Sequence, residues 1–116
     1  MSGEERAARP ALADRNCRPL PAGTPALTAA ECVAHLAALP GWAIDGERLT
    51  REIRLPDFAR ALALVNAIGV LAEAEDHHPD IALSWGRVGV SLWTHSVGGL
   101  SENDFILAAK IEALPR

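Results

Sequence analysis

Two adjacent histidines, His77 and His78, stand directly before Pro79 in the stretch AEAEDHHPD. A histidine side chain gains or loses a proton near neutral pH, so a pair of imidazoles suits general acid–base catalysis. Glu73 precedes His77 by four residues and would share its face if the helix reached that far, where the carboxylate could hold the imidazole in one tautomer. His78 should point elsewhere, because the residue before a proline is disfavoured in helical geometry. The stretch therefore predicts two imidazoles that address different parts of one ligand.

A third histidine, His95, ends a strand pattern over residues 87–95 and lies on the face opposite Val88, Val90 and Leu92. Two simpler roles stay open for these histidines. A protonated histidine near a helix C-terminus complements the helix dipole, and imidazoles also bind zinc. Adjacent histidines rarely bind one ion together, and no cysteine or H-x-x-x-H pair completes a tetrahedral set, so we predict no metal site.

Four strands are predicted to position these residues. Strand patterns at 42–45 and 48–55 flank a two-residue turn, and those at 81–85 and 87–95 flank a glycine, so each pair indicates a hairpin. Helical patterns precede, separate and follow the two hairpins. The order α-β-β-α-β-β-α predicts an α+β fold, a four-stranded mainly antiparallel sheet with three helices packed on one side.

The helix boundaries are predicted from caps and prolines. Thr28 and Glu31 have the spacing of a capping box at the start of the first helix, and Ser101 and Asp104 repeat that spacing at the start of the last. The central helix should run from about residue 56 to 76, because proline suits the first turn and the second proline ends the helix. Apolar residues at helical spacing are expected to face the core, with Val33 and Leu36 in the first helix. In the central helix they are Phe58, Leu62, Val65, Ile68 or Gly69, and Ala72.

Residues 1–26 differ from the rest of the chain. They hold half of its eight prolines and four scattered arginines, and they show no apolar period. This composition predicts a proline-rich N-terminal arm that is extended or partly disordered, followed by one domain over 27–116.

Composition narrows the class of protein. A chain of 116 residues forms one small domain, for which oligomerisation is a natural source of extra stability. A net charge of −4 argues against general nucleic-acid binding, and no apolar run is long enough to span a membrane. The first residues lack an apolar secretory core, and Cys17 and Cys32 lack metal-ligand spacing, so we expect reduced thiols in a cytoplasmic protein. No G-x-S-x-G elbow, phosphate loop or dinucleotide fingerprint is present.

The sequence resembles the pterin-4a-carbinolamine dehydratases from about residue 27 to 114. The family pattern is an acidic residue, three positions, His-His-Pro, an aromatic, a strand ending Thr-His, and Gly-Leu-Ser/Thr-x-x-Asp. Those places are held here by Glu73, His77–Pro79, Trp85, Thr94–His95, Gly99–Ser101 and Asp104. The stretches LPGW and RVGVSLWTHSVGGLSENDF also match, and NCRP resembles the start of bacterial members that serve phenylalanine hydroxylase.

The resemblance implies a hydro-lyase, 4a-hydroxytetrahydrobiopterin dehydratase, which converts 4a-hydroxytetrahydropterin to quinonoid dihydropterin and so recycles the cofactor of aromatic amino-acid hydroxylases. Carried over by position, the catalytic residues would be His77, His78 and His95, with Glu73 orienting one of them. The residues expected to bind or line the pterin are Pro79, Thr94, Ser96, Val97, Trp42 and Asp104. Which histidine is the acid and which the base stays open, although we favour His77, backed by Glu73, as the acid.

The resemblance also implies the partners. The pterin is the substrate, so neither a metal nor an organic cofactor is expected. We expect a homo-oligomer, a dimer or tetramer, with a functional link to phenylalanine hydroxylase and no membrane or nucleic-acid partner. The alternative is a non-catalytic binding or assembly protein, or a transcriptional cofactor, on the same fold.

Overall fold

The computed structural model describes residues 11–116. Its seven main elements follow the predicted order α-β-β-α-β-β-α, and two short 3-10 turns accompany them. The elements are α1 (Ala29–Leu36), β1 (Trp42–Asp45), β2 (Arg48–Arg54), α2 (Phe58–Glu75), β3 (Asp80–Ser84), β4 (Arg87–Leu92) and α3 (Glu102–Glu112), with the 3-10 turns at Leu12–Asp14 and His95–Val97.

The four strands form one antiparallel sheet in the order β1-β2-β4-β3. Leu49 pairs with Leu92, and Ile53 pairs with Val88, so these four buried side chains share one face of the sheet. Buried residues of all three helices belong to the same apolar cluster. The helices therefore pack on one side of the sheet, which confirms the predicted α+β fold.

Side-chain caps set the starts of the first two helices. Thr28 Oγ1 accepts from the backbone N–H of Glu31 at 3.2 Å, and the Glu31 carboxylate accepts from the Thr28 N–H at 2.9 Å. Asp57 caps α2 by accepting from the Arg60 N–H at 2.8 Å. No helix in the part of the chain that the structure describes combines the length and apolar character needed to cross a membrane.

The predicted burial of the helices was wrong at three large apolar side chains. Val33 is 65% exposed, and Phe58 and Leu62 are 44% and 40% exposed. The buried side of α1 carries Cys32 instead. That of α2 carries Ala61 and Leu64 together with the predicted Ile68 and Ala72. Alanine occupies so many helical positions that the apolar pattern has little contrast, so the larger side chains misled the prediction. Leu36 and Val65 do pack partly against the core.

The N-terminal segment lies against the domain where it is described. The 3-10 turn at Leu12–Asp14 packs on α3, and Arg15 forms an ion pair with Glu102 at 2.8 Å. The predicted arm also included residues 1–10, which lie outside the described residues. The division of the chain at residue 26 stays a prediction.

Candidate active site

The turn after α2 separates the two adjacent histidines. α2 ends at Glu75, and Asp76 adopts the left-handed conformation with φ 51° and ψ 42°. The His77 N–H then donates to the Ala72 carbonyl at 3.2 Å, as in a Schellman C-cap. Within residues 11–116, Asp76 is the one residue other than glycine with positive φ. The helix therefore ends before His77, as predicted, and the two imidazoles diverge.

The His77 imidazole contacts a buried carboxylate. Its Nε2 lies 2.6 Å from Asp104 Oδ1, and Asp104 is fully buried. The other carboxylate oxygen accepts from the Thr94 hydroxyl at 2.7 Å and from the Ser101 N–H at 2.9 Å. This carboxylate also accepts a hydrogen bond from His77 Nε2–H, so His77 keeps Nδ1 for proton exchange with a ligand.

Glu73 pairs with His78. The four-residue spacing had instead suggested a pair between Glu73 and His77. The Glu73 carboxylate contacts His78 Nε2 in an exposed position at the end of α2. The left-handed residue at 76 is the reason for the difference, because it takes His77 off the helix face on which Glu73 lies. The structure thus gives each of the two adjacent imidazoles its own carboxylate.

His95 is supplied by a 3-10 turn and not by a strand. β4 ends at Leu92, and the Thr94 N–H donates to the Gly99 carbonyl at 2.9 Å in an isolated bridge. His95 opens the turn that follows and is exposed. The predicted strand over 87–95 is therefore three residues too long, because the chain turns here toward the start of α3.

The three histidines line one cavity of about 360 Å³, which we call the histidine cavity. Thr94 and Ser96, both predicted to bind the ligand, also line it. The remaining residues in its wall are Asp76 and Trp93. The predicted residues Pro79 and Val97 adjoin this wall along the chain without forming part of it.

Trp42 and Asp104 do not line the histidine cavity. Trp42 is buried on β1, its Nε1–H donates to Glu112 at 2.8 Å, and it lines a separate apolar cavity beside α1 that contains no histidine. Trp42 therefore lies outside the histidine cavity, and its role in binding the ligand stays a prediction. Asp104 has no exposed surface and reaches the site through His77, so it is a positioning residue.

Trp93 and Asp76 were missed as wall residues. Trp93 carries the Arg48 guanidinium 3.8 Å from its ring centroid, at the end of the open face of the sheet. The alternation of β4 already put Trp93 on the face of His95, which was the usable signal. No comparable signal existed for Asp76, because its exposure at the site follows from a left-handed backbone.

A second cavity of about 430 Å³ adjoins the first, and we call it the strap cavity. Asp76, His77, Thr94 and Ser96 belong to both cavities. The outer wall of the strap cavity is a segment of the N-terminal arm, residues 17–20, which we call the strap. Glu75, Ala74 and Asn103 complete the lining.

The Cys17 thiol in the strap is held in its protonated form. Burial, together with the negative charge of Glu75, raises the pKa of Cys17 to about 12. The thiol donates to the Asn103 carbonyl at 3.4 Å. Since the thiolate is the nucleophilic form, Cys17 is a packing residue and not a nucleophile.

Metal ligands do not converge in residues 11–116: no group of three or more histidine, cysteine, aspartate or glutamate side chains there is placed to hold an ion. What the histidine cavity offers is proton transfer. It combines one buried Asp–His pair, one exposed Glu–His pair and a third imidazole. Such a set can deliver one proton and remove another on a single ligand.

Several known proteins are similar to this chain. A protein of Dechloromonas aromatica (strain RCB), named for the pterin-4-alpha-carbinolamine dehydratases, is 45% identical over 103 residues, which cover 89% of this chain and 92% of the relative. A protein of Paracoccus denitrificans (strain Pd 1222) with the same name is 50% identical over 93 residues, 78% of this chain and 87% of that one.

Solved structures give the same result for the fold. The transcriptional coactivator/pterin dehydratase from Brucella melitensis superposes with a TM-score of 0.72 at 39% identity, covering 76% of this chain and 96% of that chain. A pterin dehydratase-like protein described as a RuBisCO assembly factor in the alpha-carboxysome superposes at 0.55 and 24% identity, which shows a shared fold alone. The family model described as pterin 4 alpha carbinolamine dehydratase matches residues 25–114. With that match over most of its length, the chain belongs to the pterin 4 alpha carbinolamine dehydratase family.

Proposed function

We propose that this chain is a 4a-hydroxytetrahydropterin dehydratase, a hydro-lyase whose histidines carry the proton transfers. The names of its relatives support the dehydration of a pterin carbinolamine. The observation that carries the histidine mechanism is the Asp104–His77 pair beside two further imidazoles in one cavity.

The reaction needs two proton transfers. The 4a-hydroxyl must gain a proton to leave as water, and the ring N5–H must lose one, so that the C4a–O bond breaks as the C4a=N5 double bond forms. We assign the acid role to the protonated form of His77, because Asp104 accepts from its Nε2–H and its Nδ1–H can then give a proton to the hydroxyl. His78 and His95 are the candidates for the base at N5. General acid–base steps of this kind typically contribute about 10²–10⁴ in rate each.

The product, quinonoid dihydropterin, must be reduced before it can serve a hydroxylase again. We therefore propose that the enzyme recycles the pterin cofactor of an aromatic amino-acid hydroxylase, phenylalanine hydroxylase in particular. No metal or organic cofactor takes part in the proposed reaction.

Purified protein mixed with freshly generated 4a-hydroxytetrahydropterin tests this function. We expect the ultraviolet absorbance of the adduct to give way to that of quinonoid dihydropterin much faster than in buffer. His78→Ala and His95→Ala, compared in the same assay, should identify the base by the larger loss of kcat. A rate equal to that of buffer would contradict the proposal.

A non-catalytic assembly protein is the competing function. It predicts that loss of the histidines leaves the protein's association with its partner unchanged. Three imidazoles lining one cavity, one of them held by a buried carboxylate, have no use in a scaffold, so the structure favours the enzyme.

A further inference from the structure

The strap cavity has a wall that the proposed reaction does not use. It meets the histidine cavity at His77, and its outer side is formed by strap residues 17–20. The family model begins its match at residue 25, so the strap lies outside the part of the chain that the model describes. The strap cavity has a volume of about 430 Å³, within the range of roughly 300–1,000 Å³ that is usual for small-molecule sites.

The strap is attached to the helix that holds His77. The Arg18 N–H donates to Asn103 Oδ1 at 3.1 Å, and Asn103 Nδ2 donates back to the Arg18 carbonyl at 2.8 Å. The Cys17 N–H donates to the Glu75 carboxylate at 2.7 Å. Because Asn103 directly precedes Asp104 on α3, the strap and His77 depend on the same helical turn. A wall fixed in this way can act as a preorganised binding surface.

The polar groups around the strap cavity have mixed charge. Arg18 is exposed. Among the described residues, 11–116, no carboxylate forms an ion pair with its guanidinium. Glu75 and Asp76 line the same space, Glu75 being held near Lys110 at 3.6 Å. The negative charge of these two carboxylates would repel an anionic ligand group. A neutral hydroxyl can accept from the guanidinium and donate to a carboxylate.

We propose that the strap cavity receives the C6 substituent of the pterin and that Arg18 makes it selective for an uncharged, hydroxyl-bearing chain. This inference rests on the proposed function, in which C4a and N5 of the ring face the histidines. C6 is bonded to N5, and the proposal orients its substituent toward the wall that the two cavities share, which Asp76, His77, Thr94 and Ser96 form. The strap is then the part of the protein that reads the pterin side chain.

Stable oxidised pterins test this selectivity without turnover. Isothermal titration of the full chain would compare 6-methylpterin, biopterin with its neutral dihydroxypropyl chain, and pteroylglutamate with its anionic one. We expect biopterin to bind the most tightly. In Arg18→Ala, the ratio of the biopterin Kd to the 6-methylpterin Kd should rise about tenfold, because a hydrogen bond to a charged group is lost.

Two further variants keep the test decisive. Asn103→Ala removes both side-chain bonds to Arg18 and should raise the same ratio, provided that circular dichroism shows a folded protein. Arg54→Ala is the matched control, since it removes an exposed arginine outside both cavities and should keep the wild-type ratio. A ratio unchanged in Arg18→Ala, tighter binding of pteroylglutamate than of biopterin, or no binding of any pterin would overturn the inference. Dehydration of a 6-methyl substrate by the wild-type protein, measured separately, shows whether the proposed function stands when the selectivity fails.

Discussion

At the scale of single residues, Asp104 links the start of a helix to the site. Its carboxylate accepts from the Ser101 N–H in the first turn of α3, from the Thr94 hydroxyl and from His77. The Thr94 hydroxyl gives its one proton to Asp104, so the Ser101 hydroxyl must donate to Thr94 Oγ1 across the 2.6 Å that separates the two oxygens. One buried carboxylate therefore fixes the helix start, the chain after β4 and the imidazole together.

Replacing Asp104 by asparagine should separate positioning from binding. The amide cannot accept all the bonds that the carboxylate accepts, so His77 loses its fixed tautomer, and we expect kcat to fall by roughly 10- to 100-fold with a smaller change in KM. Steady-state dehydration kinetics measure both constants. Asp57→Asn is the matched control, because it changes another helix-capping carboxylate, on α2, and should leave both constants near their wild-type values. A kcat for Asp104→Asn equal to that of the control would contradict the role of Asp104.

Cys17 should respond to the charge on Glu75. That charge raises the pKa of the thiol together with burial, so Glu75→Gln lowers the pKa and should speed alkylation by iodoacetamide at pH 8. Peptide mass spectrometry separates Cys17 from Cys32, which serves as the internal reference. An alkylation rate of Cys17 unaffected by the change would show that Glu75 does not act on the thiol.

The raised pKa of the Cys17 thiol also predicts how the stability of the fold depends on pH. The folded thiol keeps its proton up to about pH 12, whereas the unfolded thiol loses its proton near pH 9.0. The contribution of Cys17 to stability is therefore full below pH 9.0 and is lost as the pH rises toward 12. Urea unfolding between pH 8 and 10.5 should show a shallower decline for Cys17→Ser than for the wild type, and equal declines would contradict the prediction.

At the scale of elements, the turn after α2 decides which way each histidine faces. A non-glycine residue in the left-handed region costs about 1–2 kcal/mol for most side chains, and aspartate is among the least affected. Asp76→Val should therefore unfold at lower urea than Asp76→Gly, by about 1–2 kcal/mol in the free energy of unfolding. Equal stability of the two variants would show that residue 76 is not left-handed.

The elements themselves were largely predictable, but their contacts were not. Glycine-containing turns between alternating apolar runs located both hairpins, and the Thr28–Glu31 spacing located the first helix. The His78–Glu73 and His77–Asp104 pairs could not be read from spacing, because they depend on one left-handed residue and on a helix 27 positions away in the chain. The contact of Trp42 could not be read from spacing either. Its partner Glu112 lies on α3, and only the folded sheet brings the two together.

At the scale of the whole molecule, α2 has an exposed apolar side. Phe58, Leu62 and Val70 lie on it, and Val70 is 73% exposed. Such exposure in a small domain is typical of an association surface, in line with the homo-oligomer that we expect. Val70→Glu should therefore reduce the particle mass measured by light scattering, whereas Glu47→Lys, outside α2, should not. Identical masses for Val70→Glu and the wild type would contradict association through this side of α2.

The central claim is that His77 transfers a proton to the leaving hydroxyl group. The most direct test is the rate at which 4a-hydroxytetrahydropterin is dehydrated by the wild-type protein and by His77→Ala, mixed with the same substrate under stopped flow. We predict a wild-type rate far above that of buffer and a loss of about 10²-fold in the variant, with circular dichroism unchanged. Equal rates for the two proteins would contradict the claim.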